Sequence, residues 1–261
     1  MTRELPIYQV DAFTSEVFGG NPAAVCPLEA WLPDEVMQAI AAENNLSETA
    51  FIVKHGEGYD LRWFTPAVEV DLCGHATLGS AYIVAKHLEP GRDEVVFQSR
   101  SGPLAVTREG ELFTLDFPAQ MPERVEDKAP FEAILGSEIQ ELWRAGKTMA
   151  VLADEAAVRA AEPDLTKLLA LPGDGLIVTA PGAACDFVSR YFAPHAGIPE
   201  DPVTGSAHCV LTPYWVRRLD KQRLSARQIS RRGGALEVEG RGERVLISGR
   251  VAPYLEGRIT V

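Results

Sequence analysis

Three residues sit where proton chemistry is plausible: Glu48, His75 and Asp201. Glu48 ends the polar stretch Asn44-Asn45-Leu46-Ser47 and enters the apolar run Thr49-Ala50-Phe51. A carboxyl at such a junction is half buried, and desolvation suits a carboxyl to acid or base work near neutrality. The plainer alternative is a surface glutamate at a strand start. His75 follows Gly74 at an expected helix start, with its ring able to reach into a cleft before the helix. A helix N-terminus disfavours added positive charge, so a neutral, hydrogen-bonding imidazole is expected there, with a capping or packed histidine as the alternative. Asp201 precedes Pro202 and the run Val203-Thr204-Gly205-Ser206, a position that also suits a structural cap. Glu200, beside it, reads as solvated or structural. Gly74, Gly205 and Ser206 can offer backbone N–H groups, and Ser206 a hydroxyl, to a carboxylate, against the alternative that the glycines serve tight packing. Cys73 precedes a helix N-terminus, which lowers a thiol pKa and makes it an accessory nucleophile or proton carrier. Neither Cys73-Gly74-His75 nor His208-Cys209 has the paired spacing of a zinc site, so no metal is expected. No phosphate-binding glycine loop follows a strand.

These residues belong to a motif that occurs twice. Residues 62–81 read RWFTPAVEVDLCGHATLGSA and residues 190–207 read RYFAPHAGIPEDPVTGSA. Each begins as a basic-aromatic strand, turns at a proline (Pro66, Pro194), passes an acid and reaches a glycine-marked helix. Thr204 lies 131 positions after Cys73 (204 − 73), about half the 261-residue chain. The repeat is a single duplication, and it suggests two anion-holding helix starts facing one cleft.

The chain carries 46% hydrophobic and 24% charged residues with a net charge of −12. That balance excludes an ordinary nucleic-acid binder but not a small anionic ligand held by local groups. No stretch approaches a membrane span or a signal segment, and four cysteines (Cys26, Cys73, Cys185, Cys209) without an export signal fit a reduced, cytoplasmic setting. Cys26 and Cys185 read as buried free thiols.

Short runs with period two give many strands: Ile7–Phe13, Ala23–Cys26, Thr49–Lys54, Tyr59–Phe64, Glu94–Gln98, Leu104–Arg108 and Leu112–Phe117 in the first half, and Met149–Leu152, Leu176–Ala180, Asp186–Phe192, Ala235–Glu239, Arg244–Ser248 and Arg258–Val261 in the second. Their alternation predicts largely antiparallel sheets with one wet face. Helices are expected from Leu32 to Asn44-Asn45, over Gly74–His87, Asp154–Ala161, Asp164–Ala170 and Gly205–Leu219. The second and last of these are apolar enough to run through the middle of their own β-domains. The polar, proline-containing stretch 119–131 reads as a linker, dividing the chain into 1–117 and 118–256, with a final strand (257–261) that returns to the first half.

Six motifs in order, Asp11-Ala12-Phe13, Gly20-Asn21-Pro22, Asn45-Leu46-Ser47-Glu48, Phe64-Thr65-Pro66, Gly74-His75 and Glu200-Asp201 through Thr204-Gly205-Ser206-Ala207, resemble those of the PhzF family of phenazine-biosynthesis-like isomerases. The resemblance implies an α+β, diaminopimelate-epimerase-like fold: two pseudo-symmetric halves, each a curled, mostly antiparallel β-sheet or barrel around a central helix. It implies a homodimer without cofactor or metal. By motif position it implies Glu48 as the acid/base, His75 and Asp201 as partners orienting the substrate, and Gly74, Gly205 and Ser206 as anion-cradling positions. Cys73 matches one of the two catalytic thiols of the related epimerases, and Thr204 fills the place of the other. The expected activity is a cofactor-independent proton shift on a small amino- or hydroxy-carboxylate held between the halves. A Cys73-dependent racemase or epimerase and a non-catalytic anion-binding protein are the alternatives.

Overall fold

Strand register here follows from side-chain alternation: Leu224, Ala226 and Gln228 are buried while Arg223, Ser225 and Arg227 between them are exposed. In the computed structural model, which describes residues 3–261, such strands make up most of an α+β chain divided into two compact units, 3–116 with 248–261 and 117–247.

The first unit runs β1 (Glu4–Ala12), β2 (Asn21–Leu28), α1 (Asp34–Asn44), β3 (Glu48–His55), β4 (Gly58–Phe64), β5 (Glu69–Val70), α2 (Gly74–Ile83), β6 (Glu94–Ser99), β7 (Gly102–Glu109) and β8 (Leu112–Pro118). The second runs β9 (Glu123–Val125), α3 (Ala129–Leu135), β10 (Glu141–Arg144), β11 (Thr148–Val151), α4 (Glu155–Ala160), α5 (Leu165–Leu169), β12 (Leu176–Pro181), β13 (Phe187–Phe192), α6 (Gly205–Leu219), β14 (Arg223–Gln228), β15 (Gly234–Arg241) and β16 (Arg244–Gly249). The chain ends in β17 (Val251–Thr260), a ten-residue strand antiparallel to β1, of which the expected Arg258–Val261 is only the tip.

The duplication read from two motifs extends through the whole topology. In the first unit β1 pairs antiparallel with β2, β2 parallel with β3, β3 antiparallel with β4, β4 parallel with β6, and β6 antiparallel with β7. The second unit repeats that sequence of pairings through β10, β11, β12, β13, β14 and β15. Antiparallel pairs predominate, as expected. The parallel pairs arise wherever a helix or a helix-bearing loop carries the chain between strands. The stretch 119–131 is not a bare linker: it holds β9 and the start of α3, whose apolar face (Phe131, Ile134, Leu135) joins the core of the second unit.

Each unit winds on one helix. Every residue of α2 from His75 to Ile83 is buried. It packs on β1, β2 and β3 so closely that a Cβ on Gly79 would lie 2.8 Å from Val10 Cγ2. The helix expected over Gly74–His87 is α-helical to Ile83 and then widens into a π turn over Val84–Leu88, closed by Glu89 N–H donating to the Val84 carbonyl at 2.7 Å. In α6 the interior Pro213 cannot donate to the Cys209 carbonyl, and Gln120 N–H takes that acceptor instead at 2.9 Å. Trp215 of α6 stacks on Phe187 of β13, with 5.5 Å between centroids, and donates to Thr179 Oγ1 at 3.0 Å.

The turn leading to each helix is locked in the same way. Arg62 grips Glu69 with two bonds of 2.7 and 2.8 Å, and Arg190 grips Glu200 with two of 2.7 and 3.0 Å. Each arginine also reaches back to an earlier helix, Arg62 to Asp34 at the start of α1 and Arg190 to the Ala161 carbonyl after α4. Glu200 is therefore structural. A partly buried, bidentate Arg–carboxylate pair is among the stronger and more directional polar contacts a protein makes.

His208 is fully buried in α6, and its Nδ1–H donates to the Thr204 carbonyl at 2.8 Å. Burial holds its pKa down at about 4, the carbonyl opposing only in part. The proton is thus bound more weakly in the folded chain than in the unfolded one. His208 contributes stability in full above an ordinary imidazole pKa, and that contribution is lost as pH falls from about 6.5 towards 4. The corresponding residue of the first unit is Thr77, whose hydroxyl donates to the Cys73 carbonyl. Urea denaturation of the wild type should show about 3 kcal/mol more acid destabilisation between about pH 7.5 and 4 than His208→Thr. Equal slopes in the two proteins would refute the assignment.

Candidate active site

The first turn of α2 gathers the titrating groups of the first unit. Cys73 is the extended N-cap residue (φ −142°, ψ 110°), so the chain turns sharply into the helix and His75 is carried inward. Glu48 is the first residue of β3, paired alongside Ala23 of β2. Its Oε2 lies 3.0 Å from His75 Nε2. The side chains are 18% and 6% exposed respectively, so the pair is largely shielded but reachable from the carboxylate side. Glu48 Oε2 is itself shut off from solvent and takes no aligned hydrogen bond among the described residues.

His75 Nδ1 faces the other way. Asn21 Nδ2 lies 3.2 Å from it and Cys73 Sγ 3.5 Å. Asn21 is fully buried, and its Oδ1 accepts from Ser47 Oγ at 3.1 Å, so one amide ties the loop before Glu48 to the ring of His75. In this orientation of the amide Nδ1 is the acceptor and Nε2–H faces Glu48. A charged ring instead asks the amide to turn, presenting Oδ1 to Nδ1–H and Nδ2 to Ser47. Gly20 makes the placement of Asn21 possible. It has φ +58°, and a Cβ there would lie 2.1 Å from the Ala12 carbonyl oxygen.

The electrostatics overturn the expectation of a neutral His75. Burial works against its charge, but the Cys73 sulfur and the Glu48 carboxylate outweigh burial and hold the imidazole well above its ordinary pKa. An ion pair at 3.0 Å in a shielded site exceeds the fractional charge of a helix end. The Cys73 thiol moves the other way from the expectation. Burial, then the nearby Glu48 carboxylate, push it up to about 11 despite the helix N-terminus. Near neutrality it is a thiol, which leaves the Glu48 carboxylate as the charged neighbour that raises the His75 pKa.

In the second unit Asp201 bridges to Tyr191 of β13, with its N–H donating to the Tyr191 carbonyl at 3.0 Å. Its Oδ2 accepts from Thr204 Oγ1 at 2.6 Å, just ahead of Gly205 and Ser206 in the first turn of α6. Gln228 completes this corner. Its Oε1 accepts from Thr204 N–H at 2.8 Å, and its Nε2 donates to the Asp201 carbonyl at 2.7 Å and meets Thr204 Oγ1 at 3.1 Å. Asp201 thus orders the helix start rather than capping it directly. Glu48, His75 and Cys73 form one cluster, and Asp201, Gly205 and Ser206 stand together around the start of α6.

Sequence reasoning passed over Asn21 as more than a motif letter, and missed Gln228 altogether. The second had a signal: a polar residue at the inward phase of the alternation Leu224, Ala226, Gln228 must find partners.

Two topologically repeated β units, each wound on a buried helix with polar groups at its start, define the diaminopimelate-epimerase-like class of α+β fold. The family model described as phenazine biosynthesis-like protein matches residues 10–257. An uncharacterized isomerase of Pseudomonas aeruginosa is 52% identical over 256 residues, covering 98% of this chain and 99% of the relative. The crystal structure of a PhzF-family phenazine biosynthesis protein of Enterococcus faecalis matches with a TM-score of 0.96 at 51% identity, over 98% of this chain and 99% of that one. A hydroxyproline epimerase of Agrobacterium vitis shares the fold alone, with a TM-score of 0.64 at 11% identity over 99% and 93% of the two chains. The chain belongs to the PhzF family, and it is an isomerase. That sets aside the reading as an inert anion-binding protein. No helix among the described residues is long and apolar enough to cross a membrane.

Asn21→Ala removes the amide shared by Ser47 and His75 and leaves buried polar groups without it. Chemical denaturation should show a loss of about 1–3 kcal/mol, whereas an unchanged unfolding midpoint would remove Asn21 from the support of the site.

Proposed function

We propose that Glu48 is the acid/base of a cofactor-independent isomerisation, in which it takes a proton from an activated carbon of a small amino- or hydroxy-carboxylate and returns it to another atom. The observation that supports this reading is the Glu48 carboxylate itself: shielded, 3.0 Å from an imidazole whose pKa is raised, with an oxygen that no aligned hydrogen bond occupies. The shift is redox-neutral. One proton leaves carbon as the bonding pair is delocalised into the neighbouring unsaturated or carbonyl system, and one proton is added elsewhere on the same molecule.

His75 compensates the charge of Glu48 as the proton is passed, and it orients the carboxylate edge. Asp201 acts as a substrate-orienting residue, and Gly74, Gly205 and Ser206 act as carboxylate-holding positions through backbone N–H groups and the Ser206 hydroxyl. The first N–H groups of a helix have no intrahelical acceptor, which suits them to an anion. A positioned general acid–base group supplies about 10²–10⁴-fold, with positioning supplying the rest.

An epimerase that uses Cys73 as base is the weaker reading. Its thiol is held at about 11, and the matching position of the second unit is Thr204.

Glu48→Gln preserves shape and removes the titrating group. Incorporation of solvent deuterium into candidate small carboxylates, followed by mass spectrometry, should fall about 10²–10⁴-fold in kcat with ligand affinity changed much less. Near-full turnover would end the proposal. Ser206→Ala should raise KM by about 5–20-fold, the equivalent of one lost hydrogen bond, and leave kcat nearly unchanged. An unaltered KM would take Ser206 out of the binding set.

A further inference from the structure

We propose that β17 is the seam of a homodimer: its outer edge pairs antiparallel with the same strand of a second copy, about a twofold axis through Gly257. Strand β17 is laddered to β1 along one edge, and among the described residues no strand pairs with the other. Residues 253–256, 258 and 260 are exposed. A long open edge invites pairing, and soluble chains normally cover or blunt one. The backbone phase of this edge is fixed. Val261 N–H donates to the Arg3 carbonyl at 2.9 Å, and the Val261 carbonyl accepts from Arg3 N–H at 2.7 Å. Leu255, Gly257 and Ile259 therefore also turn their backbone groups to β1, while Glu256, Arg258 and Thr260 turn theirs outward.

One register of self-pairing suits both this phase and the side chains. With Gly257 opposite its own copy, Glu256 and the partner's Arg258 face each other, and the twofold repeats the pair. Both are hydrogen-bonded pairs that use the outward N–H and C=O groups. Each also sets opposite charges across the seam, whereas an axis through Glu256 or Arg258 would set like charges opposite each other. The two side chains are 67% and 65% exposed, and Arg258 already meets Glu4 at 3.1 Å, so the partner's Glu256 would extend an existing ion pair. On the other face Leu255, 44% exposed, comes against the partner's Ile259, which in its own copy packs on the core beneath α1. The monomer does not call for glycine at the axis: a Cβ on Gly257 would meet Leu255 Cδ2 at an ordinary 3.7 Å. A glycine inside a strand often marks the close approach of another backbone.

Sedimentation velocity at about 100 μM should show the wild type as a dimer. Arg258→Pro removes an outward N–H and spares the ladder to β1, a placement proline tolerates. It should weaken association at least about 10-fold with the circular dichroism unchanged. Glu256→Arg should weaken association to a similar degree, and combining it with Arg258→Glu should restore the dimer. Cysteine reads the register directly. Gly257→Cys sets its two copies about 4.5 Å apart between Cα atoms, within disulfide reach, whereas Glu256→Cys leaves its copies roughly 8 Å apart, beyond it. Under mild oxidation the first should run as a linked dimer on non-reducing gels, and the second should not. A wild type that is monomeric at this concentration would overturn the seam and leave the edge to an extended segment of another protein. A dimer that survives Arg258→Pro, no recovery in the charge exchange, or no link through Gly257→Cys would each overturn it as well. None of these readouts uses turnover, so the seam and the acid–base assignment are tested separately.

Discussion

An imidazole and a carboxylate held 3.0 Å apart, with the imidazole almost wholly out of water, impose the central constraint on the first unit. Desolvating both partners costs several kcal/mol each, and the arrangement survives only if its geometry and its remaining hydrogen bonds are secured from outside. The surroundings meet that demand. Asn21 spans Ser47 and His75, and Gly20 lets the backbone pass close enough to place Asn21. Helix α2 is buried over its length and fits β1 without room for a methyl group at Gly79. Removing one partner of such a pair typically costs about 3–5 kcal/mol because the other charge is left buried. The helix is thus a fixed platform for chemistry at its start, and its lack of exposed surface serves that purpose.

The two units share a scaffold and divide the chemistry. The pairings, the Arg62–Glu69 and Arg190–Glu200 grips and the polar support at each helix start all recur. The titrating groups do not. Where β3 opens on Glu48, β12 opens on Leu176, and where α2 has Cys73 and His75, α6 has Thr204 and Ser206. The histidine that α6 does contain, His208, is buried neutral with its pKa held down to about 4. The first unit therefore sets a carboxylate against an imidazole at its helix start, and the second sets the Asp201 carboxylate against the Thr204 hydroxyl.

Cys73 shows how burial redirects an inherited position. A helix N-terminus favours a thiolate, but burial and the adjacent Glu48 carboxylate dominate and leave a thiol near neutrality.

Much of this was legible in the sequence. Period-two alternation marked most strands, capping residues and glycines marked the helix starts, and the repeated motif located α2 and α6 and gave the fold class through its family resemblance. Glu48, His75 and Asp201 stood out because polar residues at strand and helix starts are where side chains meet clefts. Local sequence failed where the deciding partner came from elsewhere in the chain. The charge on His75 depends on Glu48 across a strand-to-helix contact, the anchoring of Thr204 depends on Gln228 of a later strand, and the freed Cys209 carbonyl is satisfied by Gln120. The stretch 119–131 read as a linker because its polar residues hid the apolar face of α3. What the sequence by itself determined was the list of groups and the elements that bear them, since propensity and periodicity act over a few residues. Only the tertiary structure decided which groups meet and in what charge state, because burial and through-space proximity arise when distant segments pack.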